Sequence, residues 1–157
     1  MSPRLDRLPE GNRKNLLNLP MQDNQVAPFV KLARPLAACR VAIVTTAGLH
    51  RRGDPPFGPG EQTYRVIPTD TPSADIIQSH TSIGFDRTPI MRDVNISYPI
   101  DRLRELVARG ELGSLAPNGY SFMGAQRELT RIENETGPEV ARRLRDDGAD
   151  VALMTPT

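Results

Sequence analysis

The run Val41-Ala42-Ile43-Val44-Thr45-Thr46, stopped by Ala47-Gly48, constrains the fold more than any other segment. It is short, nearly continuous in apolar character and rich in β-branched residues, with no alternation of apolar and polar positions. A strand of that kind has no face to give to water, so it belongs inside a sheet covered on both sides, the usual setting of parallel strands. Its end at a glycine matters too, because open α/β sheets bind ligands beyond the carboxyl ends of their strands. Ala149-Asp150-Val151-Ala152-Leu153-Met154-Thr155 reads as a second buried strand.

Helical signals lie between the two. Pro99 suits a first turn, Ile100, Leu103, Leu106 and Val107 make an apolar face, and Gly110 suits the position after the last turn. Thr136-Gly137-Pro138-Glu139 fits a capping box, followed by Val140, Ala141 and Leu144 on the buried side and Gly148 at the end. Gln126 to Glu133 reads as a further helix with a thin apolar face, Leu129 and Ile132. Tyr64 to Pro68 reads as a short edge strand limited by Pro68. The loop LHRRGDPPFGPG is stiffened by three prolines, Asp70 to Arg92 is polar and irregular, and Glu111 to Tyr120 returns the chain to the sheet. Alternating strands and helices predict a three-layer α/β domain, Rossmann-like or flavodoxin-like, with a mainly parallel sheet. It occupies residues 37–157, behind an irregular proline-rich arm over residues 1–36. Both apolar runs being parallel strands, Thr46-Ala47-Gly48 and Thr155-Pro156-Thr157 are expected on the same side of one sheet.

Charge narrows the function. Twenty basic residues face nineteen acidic ones, a formal net charge of +1, without the basic stripe of a nucleic-acid binder. No apolar run approaches the ~18 residues that cross a bilayer, and the first residues have no secretory-signal pattern, so a cytoplasmic protein is the default expectation. One cysteine, Cys39, excludes an internal disulfide framework and a multi-cysteine zinc site. Fifteen prolines, about twice the usual ~5% share, are spread along the chain and mark many shaped connections.

Few side chains offer chemistry. Cys39 precedes an apolar strand and reads as packing. Ser121 lacks a Gly-x-Ser-x-Gly setting. Thr45 and Thr46 can donate hydrogen bonds to a ligand, though threonine is also common in strands. His80 is the best acid/base candidate, able to protonate a leaving nitrogen or to stabilise an anion as imidazolium; a histidine that fixes a polar loop fits equally. Asp86, Asp93 and Asn95 form either a network that orients His80 or turn and helix-entry residues. His50 beside Arg51 and Arg52 makes a basic cluster that can hold a carboxylate, or a solvated loop. His50 and His80 lie too far apart in sequence to argue for a metal, and one glycine after Thr46 is no dinucleotide fingerprint.

Three stretches, in order, carry a resemblance: VAIVTTAGLHRRGDPPF, then SHTSIGFDRTPIMRDVNISYPIDRLRELVARGELGSLAPNGYSFMG, then DDGADVALMTPT. The middle one holds His80, Phe85-Asp86, Asp93 and Asn95, Pro99, an Arg-Leu-x-Glu-Leu helix from Arg102 to Leu106, Gly110 to Gly113, and Tyr120-Ser121. From Arg40 to Thr157 the chain resembles the amino-terminal portion of the selenoprotein B component of glycine/sarcosine/betaine and D-proline reductases. The resemblance implies an oxidoreductase acting by reductive C–N cleavage on an amino acid or related small molecule. It also implies a thiol or selenol redox partner protein and a homo-oligomer. In that family a selenocysteine or cysteine is expected directly after the position of Thr157, so the chain is expected to stop before its redox residue, for instance at an unrecoded UGA codon. The resemblance implies no cofactor within residues 1–157. Taken together, these readings make His80, Asp86 and Asp93 the expected catalytic residues, and Thr45, Thr46, Gly48, Asn95, Tyr120, Ser121 and Thr157 the expected substrate-binding residues. The reading from a different class is a non-catalytic α/β binding or assembly module with a pocket of Thr46, His80, Asp93 and Tyr120.

Overall fold

A computed structural model describes residues 4–18, 30–82 and 86–156. The chain divides into two units, Met1–Lys31 and Leu32–Thr157. The first holds a 3-10 turn, Leu5–Arg7, and helix α1, Glu10–Leu17, which buries none of its residues. That helix occupies part of the segment read from its prolines as irregular. Leu19, Pro20 and Pro28 of the same segment lie outside the described residues.

The second unit is a mixed α/β domain built on strand β1, Arg40–Thr45. Five of its six residues are buried, as the unbroken apolar run requires. Two further strands, β5 (Ser114–Leu115) and β6 (Asn118–Phe122), run parallel to it along one side, pairing first at Arg40↔Ser114 and then at Val44↔Tyr120. Along the other side runs β7, Val151–Thr155, parallel and in register from Val41↔Val151 to Thr45↔Thr155. Strand β3, Tyr64–Pro68, closes one edge antiparallel to β6, with Pro68 at its end where a missing N–H costs least. A separate two-stranded ribbon joins β2 (Leu49–Arg51) to β4 (Ile76–Gln78). The sheet proper is therefore mostly parallel, as the sequence predicts.

Side chains on β1 alternate between two cores. Val41 and Ile43 pack with Ile90 of helix α2 (Thr88–Arg92) and with Ile100 and Leu103 of helix α3 (Ile100–Ala108). Val44 faces the other way, into a cluster with Tyr120, Phe122 and Val140 of helix α4 (Gly137–Asp146). Helices thus cover both faces. The ends of α3 and α4 follow one rule. Gly110 and Gly148 have φ of +73° and +71°, and each donates its N–H three residues back while the next residue donates five back, to Leu106 and to Leu144. That pairing is the Schellman termination, and it satisfies carbonyls that a helix end otherwise leaves orphaned.

Three expectations need correction. The helix read at Gln126 to Glu133 starts only at Thr130, since Ala125 has φ +54° and Leu129 is exposed. Thr136 is no N-cap: its backbone is already helical and its hydroxyl donates to the Gln62 carbonyl at 2.9 Å. The chain enters α4 through a wide π turn, Ile132–Thr136, directly before Gly137-Pro138. Pro138 has no N–H to give and needs room for its ring, which a widened turn supplies. Finally, β7 is not buried on both faces. Val151, Leu153 and Thr155 are half-buried while Ala152 and Met154 are exposed, and among the described residues β7 pairs with β1 alone.

Candidate functional site

The carboxyl ends of β1 and β7 meet, because the parallel register carries through to Thr45↔Thr155. The Thr46 N–H then donates to the Thr155 carbonyl at 3.2 Å. Thr46-Ala47-Gly48 and Thr155-Pro156 therefore lie on the same side of one sheet and on neighbouring strands, as expected; Thr157 lies outside the described residues.

Every neighbouring element holds the turn after β1. The Thr45 hydroxyl lies 3.1 Å from the carbonyl oxygens of both Ser97 and Thr155, and it accepts from the Ala47 N–H at 3.2 Å. Ala47 bridges to Met123, the Gln78 amide donates to the Ala47 carbonyl at 2.8 Å, and Gly48 donates to the Phe122 carbonyl at 2.9 Å. The Ser121 hydroxyl accepts from the Leu49 N–H at 2.8 Å. Thr45 and Ser121 are fully buried, and their hydroxyls position the turn. Gly48 takes φ +63°, and a Cβ there would meet the His80 backbone at 3.2 Å. Only glycine suits both the left-handed conformation and that approach.

His80 is seated against this turn and is 3% exposed. Its Nδ1 accepts from the Ser82 N–H at 3.2 Å, and its carbonyl accepts from the Arg87 guanidinium at 3.4 Å. A ring nitrogen that accepts carries no proton, so the imidazole is neutral and protonated at Nε2. Burial lowers the His80 pKa from its ordinary value, and the Arg87 charge lowers it further. The imidazolium role considered from the sequence is therefore disfavoured, while a neutral Nε2–H donor is favoured.

The remaining candidates are engaged elsewhere. Asp86 accepts from the Thr88 N–H at 2.9 Å, at the entrance to α2, and that bond holds its carboxyl below the usual range. Asp93 accepts from both the backbone and the side-chain nitrogen of Asn95, each at 2.9 Å, and its pKa is lowered by those bonds. Asn95 in turn exchanges two hydrogen bonds with Asp101, accepting from its N–H and donating to its carboxylate. The three residues cap the 3-10 turn Val94–Ile96 and the first turn of α3. Tyr120 lies on the α4 face; its hydroxyl donates to Asp147 at 3.0 Å, and burial followed by that carboxylate pushes its pKa up. Tyr120 is thereby separated from Asp93, which sits on the α3 face. Phe85 lies outside the described residues.

The basic cluster is internally matched. Arg51 makes a two-pronged pair with Asp54, Arg52 pairs with Asp75 at 3.4 Å, and His50 Nδ1 bonds to the Arg51 carbonyl at 2.9 Å. Cys39 is fully buried at the opposite end of β1, its thiol 3.4 Å from the Pro35 carbonyl. Sequence reasoning missed Ser97, Gln78 and Arg87. Ser97 acts through its own carbonyl, which accepts from Thr45, and Gln78 and Arg87 donate to the carbonyls of Ala47 and His80; no sequence pattern marks such backbone contacts.

Comparison with known proteins decides the family. Residues 7–157 match the family described as glycine/sarcosine/betaine reductase selenoprotein B. The chain belongs to this selenoprotein B family. It is 38% identical over 128 residues to the D-proline reductase subunit gamma of Acetoanaerobium sticklandii, covering 81% of this chain and 52% of that protein. It is 28% identical over 131 residues to the sarcosine reductase complex component B subunit beta of Peptoclostridium acidaminophilum, covering 79% of this chain and 29% of the relative. With the glycine reductase complex component B subunit gamma of Carboxydothermus hydrogenoformans it shares 24% identity over 148 residues, 88% of this chain and 33% of the relative. The chain thus matches about half the length of the first relative and about a third of the others. No solved structure matches it. Among the described residues, no helix is long and apolar enough to cross a membrane.

Proposed function

We propose that this selenoprotein B family chain forms the strand-end half of a selenol- or thiol-dependent reductase site that cleaves a C–N bond in an amino acid or related molecule. The observation that carries the reading is the Thr46 N–H to Thr155 carbonyl bond. It fastens the carboxyl end of β7 to the turn against which His80 packs. The selenocysteine or cysteine that the family resemblance puts directly after Thr157 would enter at that mouth and supply the nucleophile. This chain's own residues supply the frame. Thr45 and Ser121 lock the turn by buried hydrogen bonds, and a neutral His80 offers an Nε2–H hydrogen bond. Cys39 is no substitute nucleophile, being buried and tied to carbonyls at the other end of β1. A thiol or selenol protein partner, a homo-oligomer and a cytoplasmic setting belong to the same proposal. Relatives named as subunits of sarcosine and glycine reductase complexes support the partner protein.

The test is an in-frame extension carrying cysteine after Thr157 and the downstream segment. Iodoacetamide alkylation against pH should give a thiol pKa below the ordinary ~8.5. His80→Ala should raise that value by about one unit through the lost hydrogen bond. The extended protein should turn over D-proline, sarcosine or glycine slowly with dithiothreitol, and the 157-residue chain should not. An ordinary thiol pKa unmoved by His80→Ala, or robust turnover by the 157-residue chain alone, overturns the proposal.

A further inference from the structure

A cavity of about 600 Å³ lies between β4 and α2, away from the Thr46–Thr155 contact. Its lining divides into two chemistries. Leu49, Ile76 and Ile90 present an apolar floor and are each at most 7% exposed, and Met91 stands over it at 80% exposure. Around the floor stand the guanidinium groups of Arg52, Arg87 and Arg92, with Asp93 as the lining carboxylate.

The charges do not cancel. Arg52 is paired with Asp75. Arg87 spends a hydrogen bond on the His80 carbonyl, an uncharged acceptor. Among the described residues, no ion pair joins Arg87 or Arg92 to a carboxylate. Asp93 receives two hydrogen bonds from Asn95, both at Oδ1, and its single negative charge is outnumbered by Arg87 and Arg92. Elsewhere in this domain Arg51 is matched by Asp54, Arg102 by Glu105, Arg109 by Glu111 and Arg143 by Glu139, while exposed Arg127, Arg142 and Arg145 are unpaired among the described residues; Arg87 and Arg92 differ from these in lining one cavity together. Two unmatched guanidiniums over an apolar floor, at a cavity of small-molecule size, favour a ligand with one negative end and a hydrocarbon body.

We infer that this cavity binds a small aliphatic monocarboxylate, its carboxylate held by Arg87 and Arg92 and its hydrocarbon body on Leu49, Ile76 and Ile90. The excess of positive charge selects a net anion over the zwitterion of the same shape, because an ammonium group would meet two guanidinium groups against one lining carboxylate. Arg87 touches the His80 carbonyl, so the ligand bears on the loop that carries the histidine. The inference rests on the cavity alone and does not need the redox reading.

Calorimetry on the 157-residue chain at low salt tests it with three probes of matched size: 4-methylpentanoate, leucine and 4-methylpentan-1-ol. The acid should bind saturably, with leucine and the alcohol about tenfold weaker or worse. Arg87→Gln and Arg92→Gln should each weaken the acid about tenfold. The acid should also shift the NMR methyl signals of Ile76, Ile90 and Met91. Circular dichroism and melting temperature establish that the variants fold; both arginines are exposed, so folding is expected to survive. Absence of saturable binding at millimolar acid overturns the inference. So does leucine binding as tightly as the acid, or undiminished binding by a folded Arg87→Gln/Arg92→Gln double variant. Binding is read without turnover, so failure of the reductase proposal leaves this measurement unaffected, and the converse holds too.

Discussion

His80 shows how one residue type acquires a defined state only from its surroundings. In sequence it is an acid/base candidate that is able to carry a charge; in the fold, burial and Arg87 both oppose that charge. The consequence for stability follows from linkage. A base whose folded pKa is depressed binds fewer protons folded than unfolded, so stability rises with pH. Its contribution is fully present above the unfolded pKa of ~6.5 and is lost as pH falls through that value toward the lower folded pKa. Urea unfolding of the wild type and of His80→Gln between about pH 8 and pH 5 checks this. The wild type should lose stability on acidification more steeply than the variant, and parallel curves would show that His80 does not carry the linkage.

Helix α3 shows why acidic and amide residues near a helix start are ambiguous until they are seen in place. Asp86, Asp93 and Asn95 read equally well as a network orienting His80 or as turn and helix-entry residues, and the bonds of Asn95 with Asp93 and Asp101 are those of helix entry. Replacing Asn95 with alanine removes both bonds with Asp101 and leaves the Asp101 N–H without its acceptor. The expected cost is about 1–2 kcal/mol, the usual range for losing a cap, measured by urea denaturation. A stability change below about 0.3 kcal/mol would show that the cap contributes little and would return Asn95 to the ligand-binding candidates. At α4 the lesson differs. Thr136-Gly137-Pro138-Glu139 has the letters of a capping box, yet Glu139 accepts from the Tyr64 hydroxyl at 2.6 Å and a Cβ on Gly137 would collide with the Ile132 carbonyl. Four residues cannot show that the helix has already begun upstream.

At the scale of the whole molecule, β1 is the axis: it pairs along both sides, is covered on both faces and is almost wholly buried. Opening its amides requires the sheet to come apart, whereas β7 has a partner on one side only among the described residues. Native-state hydrogen exchange should therefore find Ile43 to Thr45 among the slowest amides, near the global unfolding limit. The outward-facing amides of β7 should be the fastest in the sheet. Equal protection along both strands of the 157-residue chain would mean that something covers the β7 edge in solution, a second copy being the simplest source.

The sequence by itself determined the features whose signals are local. An apolar β-branched run made β1 a buried strand, a 3.6-residue period ending in glycine made α3, and a second such ending placed the stop of α4, because periodicity and left-handed termination are read within a few residues. It also determined the family, through several weak motifs in one order from Arg40 to Thr157. The tertiary structure decided what depends on partners distant in the chain. Val151 to Thr155 has the composition of a central strand, and only the absence of a second strand beside it in the described residues made it an edge. Tyr120 and Ser121 are adjacent, yet the pleat sends one to Asp147 on the α4 face and the other to the turn after β1. Burial and hydrogen-bond partner are properties of what packs against a side chain, and for Thr45, Tyr120 and Ser121 those neighbours lie tens of residues away.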